Sequence, residues 1–437
     1  MDGLGLNGPG ARAPGPDVPG PGPDVPGPDF RGRGVRGPGS GSTLARTGGV
    51  YLDHAATSFP KAPGVVEAMA AFMTEVGASA GRGSYRRVRE AEAAVERARA
   101  AVARLLGVRD PRRVVFTGGA TEALNLAIQG TVRPGDHVVT TSLEHNAVWR
   151  CLKWLERRGV ISLSVAEGRP DGTLDPKSVT SLLRPETRLV VMTHASNVAG
   201  ALLPVEEVAA LAHQAGAWLC VDAAQTAGSV PLDVGRLGAD LLAFPGHKGL
   251  LGPPGTGGLY VAEDVTLEPL KWGGTGRDSF REDMPDALPD RYEAGTLNLP
   301  GLVGLGRAVE FLLERDVAKV AEHEARLVRL ALELLGGLPG VTVLGPPDSS
   351  VRVGLVSFNV AGVDPEQVAY VLDEMDDVMV RAGLHCAPAA HRTLGTLERG
   401  AVRASFGPFN TEEDVERLAT GVRRIVGLVS PSGEGAG

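Results

Sequence analysis

ADLLAFPGHKGLLGPPGTGGLYVA, residues 239–262, holds the pattern that decides the fold. Its two ends, ADLLAF and GGLYVA, are short continuous apolar runs, the mark of strands buried on both faces of a sheet. Glycine and proline close the first run, so the chain between them is a loop beyond a strand end. Lys248 sits in that loop beside His247, among residues small enough for a bulky ligand to approach. A lysine in such a place, downstream of an aspartate in an apolar strand, is a candidate Schiff-base amine, because partial burial frees the unprotonated nucleophile.

The same rhythm extends in both directions. RRVVFT (112–117), HVVTTS (137–142), ISLSVA (161–166), RLVVMTH (188–194) and AWLCVDAA (217–224) read as further strands. Helix-period segments such as AVWRCLKWLERRG (147–159) and VEEVAALAHQAG (205–216) separate them. Strands alternating with helices predict an α/β fold with a mainly parallel sheet and helices on both faces. From about residue 300, a long amphipathic segment (302–337) leads to strand-like VGLVSFNV, VMVRAG and AVRASF. This predicts a smaller α+β domain over 301–430, completed by residues 50–62, beside a large domain over 63–300. Residues 1 to about 48 are Gly/Pro-rich, with GPDVPGP at 15–21 repeated at 22–28. That composition cannot bury a core, and it reads as a disordered tail.

The 437 residues are 43% hydrophobic, enough for a sizeable core, and the formal net charge is -8 with both signs interspersed. No basic face is written for nucleic acid. No apolar run is long enough for a membrane span and no secretory leader is legible, so the expected compartment is the cytoplasm. Cys151, Cys220 and Cys386 are widely spaced, which argues against a disulfide framework or a zinc knuckle. GPPGTGG at 252–258 lacks the Lys that a P-loop needs after its last glycine, so no ATPase is read there.

In open α/β sheets, ligands bind beyond the carboxyl ends of the strands. GGATEALN (118–125) follows one strand and opens a helix, where Gly119, Ala120 and Thr121 could offer N–H groups and a hydroxyl to a phosphate; taken alone it reads first as a tight turn with Thr121 as the helix cap. Asp222 ends a very apolar strand and needs a cation or donors, either a protonated ring nitrogen or a loop it caps. Gln225 follows within reach of a neighbouring oxygen. Cys386, in RAGLHCAPAAH, lies in a loop between Gly383 and Pro388, flanked by Arg381, His385 and His391, a setting that favours a reactive thiolate. A metal site built from His385, Cys386 and His391 is the minor alternative, without paired ligand spacing. Cys151 and Cys220 read as packing. Arg403, inside a strand-like run, pairs either with a carboxylate of the protein or with that of a substrate.

Together these residues resemble the cysteine desulfurase and selenocysteine lyase family, of the class V aminotransferase group among fold-type I pyridoxal-phosphate enzymes. The landmarks are YLDHAATSFP, GGATEALN, EHNA, HASNVAG, VDAAQ, GHKGLLGPPGTGGLY, EAGTLN, RAGLHCAP and VRASFGPFNT, in the family's order between Tyr51 and Val426. The short RAGLHCA loop is similar to the group II subclass. The resemblance implies pyridoxal 5'-phosphate as cofactor, carried by Lys248. Asp222 would pair with its ring nitrogen, His145 would stack on the ring and Gln225 would bond its phenolate oxygen. Gly119, Ala120, Thr121 and His247 would hold the phosphate, with Thr296 from a neighbouring subunit, which implies a homodimer with shared active sites. Asn197, Arg381 and Arg403 would orient L-cysteine, or L-selenocysteine. Cys386 would take the sulfur as a persulfide and pass it to a protein or small-thiol acceptor; no metal is implied. Pro245 departs from the pattern, since relatives carry a hydroxyl there, and one phosphate donor is expected to be missing. Rival readings are another lyase or aminotransferase of the same cofactor group, and a non-catalytic sulfur-relay scaffold.

Overall fold

The computed structural model describes residues 49–276 and 280–429; the proposed tail over 1–48 lies outside them. The strands in chain order are β1 (Val50–Tyr51), β2 (Val114–Thr117), β3 (His137–Thr141), β4 (Ser162–Ala166), β5 (Thr187–Thr193), β6 (Trp218–Asp222), β7 (Leu241–Pro245) and β8 (Gly257–Val261). They continue with β9 (Val341–Leu344), β10 (Leu355–Val360), β11 (Val378–Met379), β12 (Arg381–Gly383) and β13 (Ala401–Ser405).

The large sheet has the order β2-β8-β7-β6-β5-β3-β4. From β7 through β4 it is parallel, as the helix-strand alternation predicts, whereas β8 runs antiparallel to both β7 and β2. The exception is the sequence quoted first: a loop without a crossover helix joins β7 to β8, and only an antiparallel pairing is open to so direct a return. Successive residues of the apolar strands feed opposite faces, as a pleated strand requires. Val190, Met192, Leu219, Val221 and Phe244 enter one core, and Leu189, Val191, Cys220, Leu241 and Ala243 the other. Cys151 and Cys220 are both packing residues of that second core.

The smaller antiparallel sheet has the order β12-β13-β10-β9, and β1 pairs in parallel with β11. An isolated bridge from Asp53 to Ser405 brings the 50s segment against β13. The helix expected over 302–337 is two helices, Leu299–Arg315 and Val317–Gly336. They break at Asp316, whose φ is 70° and whose carboxylate accepts a hydrogen bond from Ala318 N at 3.0 Å. Aspartate tolerates the left-handed region and caps the next helix, so an uninterrupted apolar period conceals a corner. Both sheets lie within one compact unit.

Candidate active site

The carboxyl ends of β6 and β7 face a cavity of about 680 Å³. Asp222 ends β6, is 2% exposed, and accepts a hydrogen bond from Ala224 N at 2.9 Å. Burial raises its pKa, while the charge of Lys248 opposes the rise. Lys248, three residues past β7, has its pKa lowered to about 8, chiefly by burial and against the pull of Asp222; Arg403 and Arg381 add to the lowering. About a tenth of the amine is therefore unprotonated at pH 7, far more than for an exposed lysine.

The helix Ala120–Thr131 points its N-terminus at the same cavity, and its N-cap, Gly119, supplies no side-chain cap. Its first N–H groups therefore stay available to an anion, the alternative to the capping-threonine reading. Gly119 is also where β8 comes close: a Cβ on Gly257 would lie 2.7 Å from Gly119 Cα. Glu122, at the rim, is held by Lys271 at 2.6 Å. Pro245 lines the cavity and brings neither a hydroxyl nor an N–H.

His145 caps the helix Asn146–Arg157, its Nδ1 accepting from Ala147 N at 3.0 Å. Burial, with nearby Lys248 and arginines, lowers its pKa to about 4, so the ring is neutral and its proton rests on Nε2. His247 is likewise lowered to about 4 and has Nδ1 3.1 Å from Thr57 Oγ1. Gln225 donates to Ala55 O at 3.2 Å.

The smaller sheet contributes two arginines from directly paired positions, Arg381 on β12 and Arg403 on β13. Arg403 is 1% exposed; its Nη2 is 3.0 Å from Asp53 Oδ1, Nη1 donates to Asn197 O at 3.0 Å, and Nε has no partner among the described residues. An internal carboxylate thus takes part of the guanidinium and leaves part of it for a ligand. Asn197 Nδ2 donates to His385 O at 2.7 Å, which fixes the neighbouring cysteine loop. Asp53 was not singled out in the sequence; its only signal is its place inside YLDHAATSFP.

Cys386 is exposed and, with His385, adopts positive φ (57° and 48°), two consecutive non-glycine residues in the left-handed region. Cys386 O accepts from Asn146 N at 2.7 Å, so the loop is tied to the helix that presents His145. Arg381 Nη2 lies 3.8 Å from Cys386 Sγ. The flanking histidines do not supply the expected positive charge. His385 and His391 are buried, stacked on each other with Nδ1 and Nε2 3.4 Å apart, and lowered by burial to about 2 and about 4. Cationic help to the sulfur comes instead from arginines, Arg381 beside it and Arg403, whose charge also interacts with Cys386. Among the described residues, no three His, Cys, Asp or Glu side chains are grouped to hold a metal ion, so the alternative of His385, Cys386 and His391 as ligands finds no support.

One cavity therefore gathers Gly119, Ala120, Thr121, His145, Asn197, Asp222, Gln225, His247, Lys248, Arg381 and Arg403. Cys386 opens onto an adjoining one, which shares Thr121 and His145 with the first. Thr296 is apart, lining a third cavity with Arg99 and Glu293.

A lysine amine and a buried carboxylate on one cavity, an open helix N-terminus and paired arginines are the chemistry of an α/β enzyme suited to an anion that carries a carbonyl. The family model described as "Aminotransferase class-V" matches residues 50–418, and the chain belongs to that family. It is 37% identical over 386 residues to a probable cysteine desulfurase of Methanothermobacter thermautotrophicus, covering 87% of this chain and 95% of the relative. It is 36% identical to a cysteine desulfurase of Escherichia coli O127:H6, covering 86% and 93%. The solved apo structure of a cysteine desulfurase from Thermococcus onnurineus NA1 superposes with a TM-score of 0.82 at 35% identity, covering 87% and 95%.

Proposed function

We propose that this chain is a pyridoxal-phosphate-dependent cysteine desulfurase that converts L-cysteine to L-alanine and leaves the sulfur on Cys386. One observation carries the reading: the amine of Lys248 and the exposed thiol of Cys386 occupy adjoining cavities that share Thr121 and His145. The cavity residues fit the cofactor chemically. The uncapped N-terminus of Ala120–Thr131 suits a phosphate, buried Asp222 suits a protonated ring nitrogen, and the neutral His145 ring suits an aromatic face.

When bound, the cofactor supplies an electron sink for charge developing at the substrate Cα. Lys248, neutral in part because burial lowers its pKa, takes the Cα proton. Arg403, with Arg381 and Asn197, holds the substrate carboxylate, and Asp53 keeps the Arg403 fork oriented. The Cys386 thiolate then bonds to the substrate sulfur as the carbon–sulfur bond breaks, and protonation of the carbon fragment completes L-alanine. The balance is L-cysteine plus the Cys386 thiol giving L-alanine plus a Cys386 persulfide. A protein or small-thiol acceptor restores the thiol, which the exposure of Cys386 permits. L-selenocysteine would bind the same way.

In this reading residues 63–300 hold the cofactor, while 50–62 with 301–430 present Arg381, Cys386 and Arg403. The working unit is a homodimer in which Thr296 of one subunit reaches the phosphate of the other. The exposed Trp272 and Phe280 support it, lying in the segment after β8 whose Leu270 lines the cavity. Among the described residues no helix is long and apolar enough to cross a membrane, and a cytoplasmic location is the natural companion of the proposal. The test is turnover of L-cysteine with a reducing thiol. Wild type should give alanine and sulfide in equal amounts, and Cys386→Ala should lose the sulfide. Alanine formation indifferent to that substitution would make the enzyme a lyase acting without the cysteine.

A further inference from the structure

Lys248 borders a second, much smaller cavity, whose wall includes no residue of the helix Ala120–Thr131. Its volume is about 30 Å³, and its wall shares Ala55, Ala224, Gln225 and Lys248 with the main cavity. That is room for about one water molecule, which is retained where two to four polar groups surround it.

The polar groups are present. His54 is 7% exposed, and its Nδ1 has no hydrogen-bond partner among the described residues. Glu324, on the helix Val317–Gly336, is 3% exposed, with the Ser229 hydroxyl as hydrogen-bond partner. Both side chains occupy space that glycines leave open. A Cβ on Gly354 would stand 2.7 Å from Glu324 Oε2, and one on Gly407 would stand 2.5 Å from His54 Nδ1. Gly354, Gly407, His54, Ser229 and Glu324 all line this cavity, which is a built polar site behind the lysine.

We propose that this cavity binds a single water molecule, held by His54 and Glu324, through which Lys248 exchanges protons while substrate fills the main cavity. The inference rests on the desulfurase reading, in which Lys248 takes the Cα proton. Substrate would then occupy the main cavity, and the small cavity is a second polar surface that Lys248 borders. The carboxyl of Glu324 passes a proton to the water as the water passes one to the neutral Lys248 amine, which leaves a carboxylate and an ammonium; the reverse sequence restores both, with no redox step. Burial keeps Glu324 protonated up to about pH 8, so it can donate at neutral pH, and keeps His54 neutral down to about pH 4, so its ring holds the water without taking its proton. Glu324 touches neither substrate nor cofactor and acts as a positioning residue for the water.

Two measurements on the full-length cofactor-loaded enzyme test this. The first is a high-resolution crystal structure, which should show a water within hydrogen-bond distance of His54 Nδ1 and Glu324; an empty cavity overturns the proposal whatever the enzyme's activity. The second is turnover of L-cysteine deuterated at Cα in ordinary water, scoring deuterium kept at Cα of the alanine. Wild type should lose most of it. Glu324→Leu, and Gly354→Ala as a variant that fills the space without removing the acid, should retain severalfold more. Their kcat should fall about 10-fold, short of the roughly 100-fold minimum expected when a directly transferring group is lost. Retention equal to wild type in both variants, each shown to be folded by a cooperative melt, refutes the relay. A wild type that forms no alanine fails the desulfurase reading instead, and the crystallographic water still decides whether the cavity is a water site.

Discussion

The lysine end and the cysteine end of the site are built by opposite means. Lys248 stands on the large sheet, one short turn beyond β7, with buried Asp222 on the adjacent strand and two cores beneath. Cys386 stands exposed on a loop with two consecutive left-handed residues, held by Asn146 N to Cys386 O and Asn197 Nδ2 to His385 O. A group that must deprotonate carbon at a fixed point gains from a rigid, desolvated mount. A sulfur that must meet substrate on one side and an acceptor on the other gains from exposure. The pKa shifts follow the same division: burial frees the lysine amine, whereas the histidines beside the cysteine are buried neutral and leave Arg381 and Arg403 as the cations that act on the sulfur.

The largest effect should come from the lysine end. Lys248→Ala is expected to reduce alanine formation by about 1,000-fold or more, in the upper range for losing an acid–base group that also carries the cofactor. Stopped assays of alanine measure it, and residual turnover within about 10-fold of wild type would remove Lys248 from the chemistry. Asp222→Asn should follow, with about 100-fold lower kcat and weaker cofactor retention on gel filtration, because a buried charge partner is lost while the shape is kept. Asp53→Asn should act on binding instead, raising KM for L-cysteine by about 10-fold with a smaller change in kcat, since its task is to orient the Arg403 fork.

How far the two ends can be read from sequence also differs. The lysine end is nearly legible: a continuous apolar strand, a stop of small residues and a lysine specify position and chemistry together, and the helix N-terminus at Gly119 follows from the same rule about strand ends. The antiparallel β8 could have been inferred from the missing crossover helix between residues 245 and 257. At the cysteine end the sequence misleads, because histidines near a cysteine suggest charge, and only their burial and mutual stacking reveal them as neutral. Asp53 was hidden by distance, its partner Arg403 lying 350 residues further along the chain. Asp316 shows the complementary failure, an apolar period running unbroken through a helix corner.

The smallest effect concerns stability and pH. Glu324 has its pKa raised to about 8 by burial, so its folded form holds a proton that the unfolded chain releases near the ordinary glutamate value. Its contribution is fully present below that ordinary value and is lost as pH rises through about 8. Subtracting the melting profile of Glu324→Gln from that of wild type should leave a difference that declines from pH 5 to pH 8. Lys248 is present in both proteins, so its own titration cancels from that difference. Profiles that stay parallel would mean that Glu324 is ionised in the folded protein.

The measurement that tests the central claim most directly is intact-mass analysis of the cofactor-loaded enzyme after L-cysteine is added without a reducing thiol. The account predicts one added sulfur, mapped to the peptide containing Cys386, reversed by reductant, and absent from both Cys386→Ala and Lys248→Ala. Sulfur added in Cys386→Ala, or alanine released by wild type with no sulfur retained at Cys386, would contradict it.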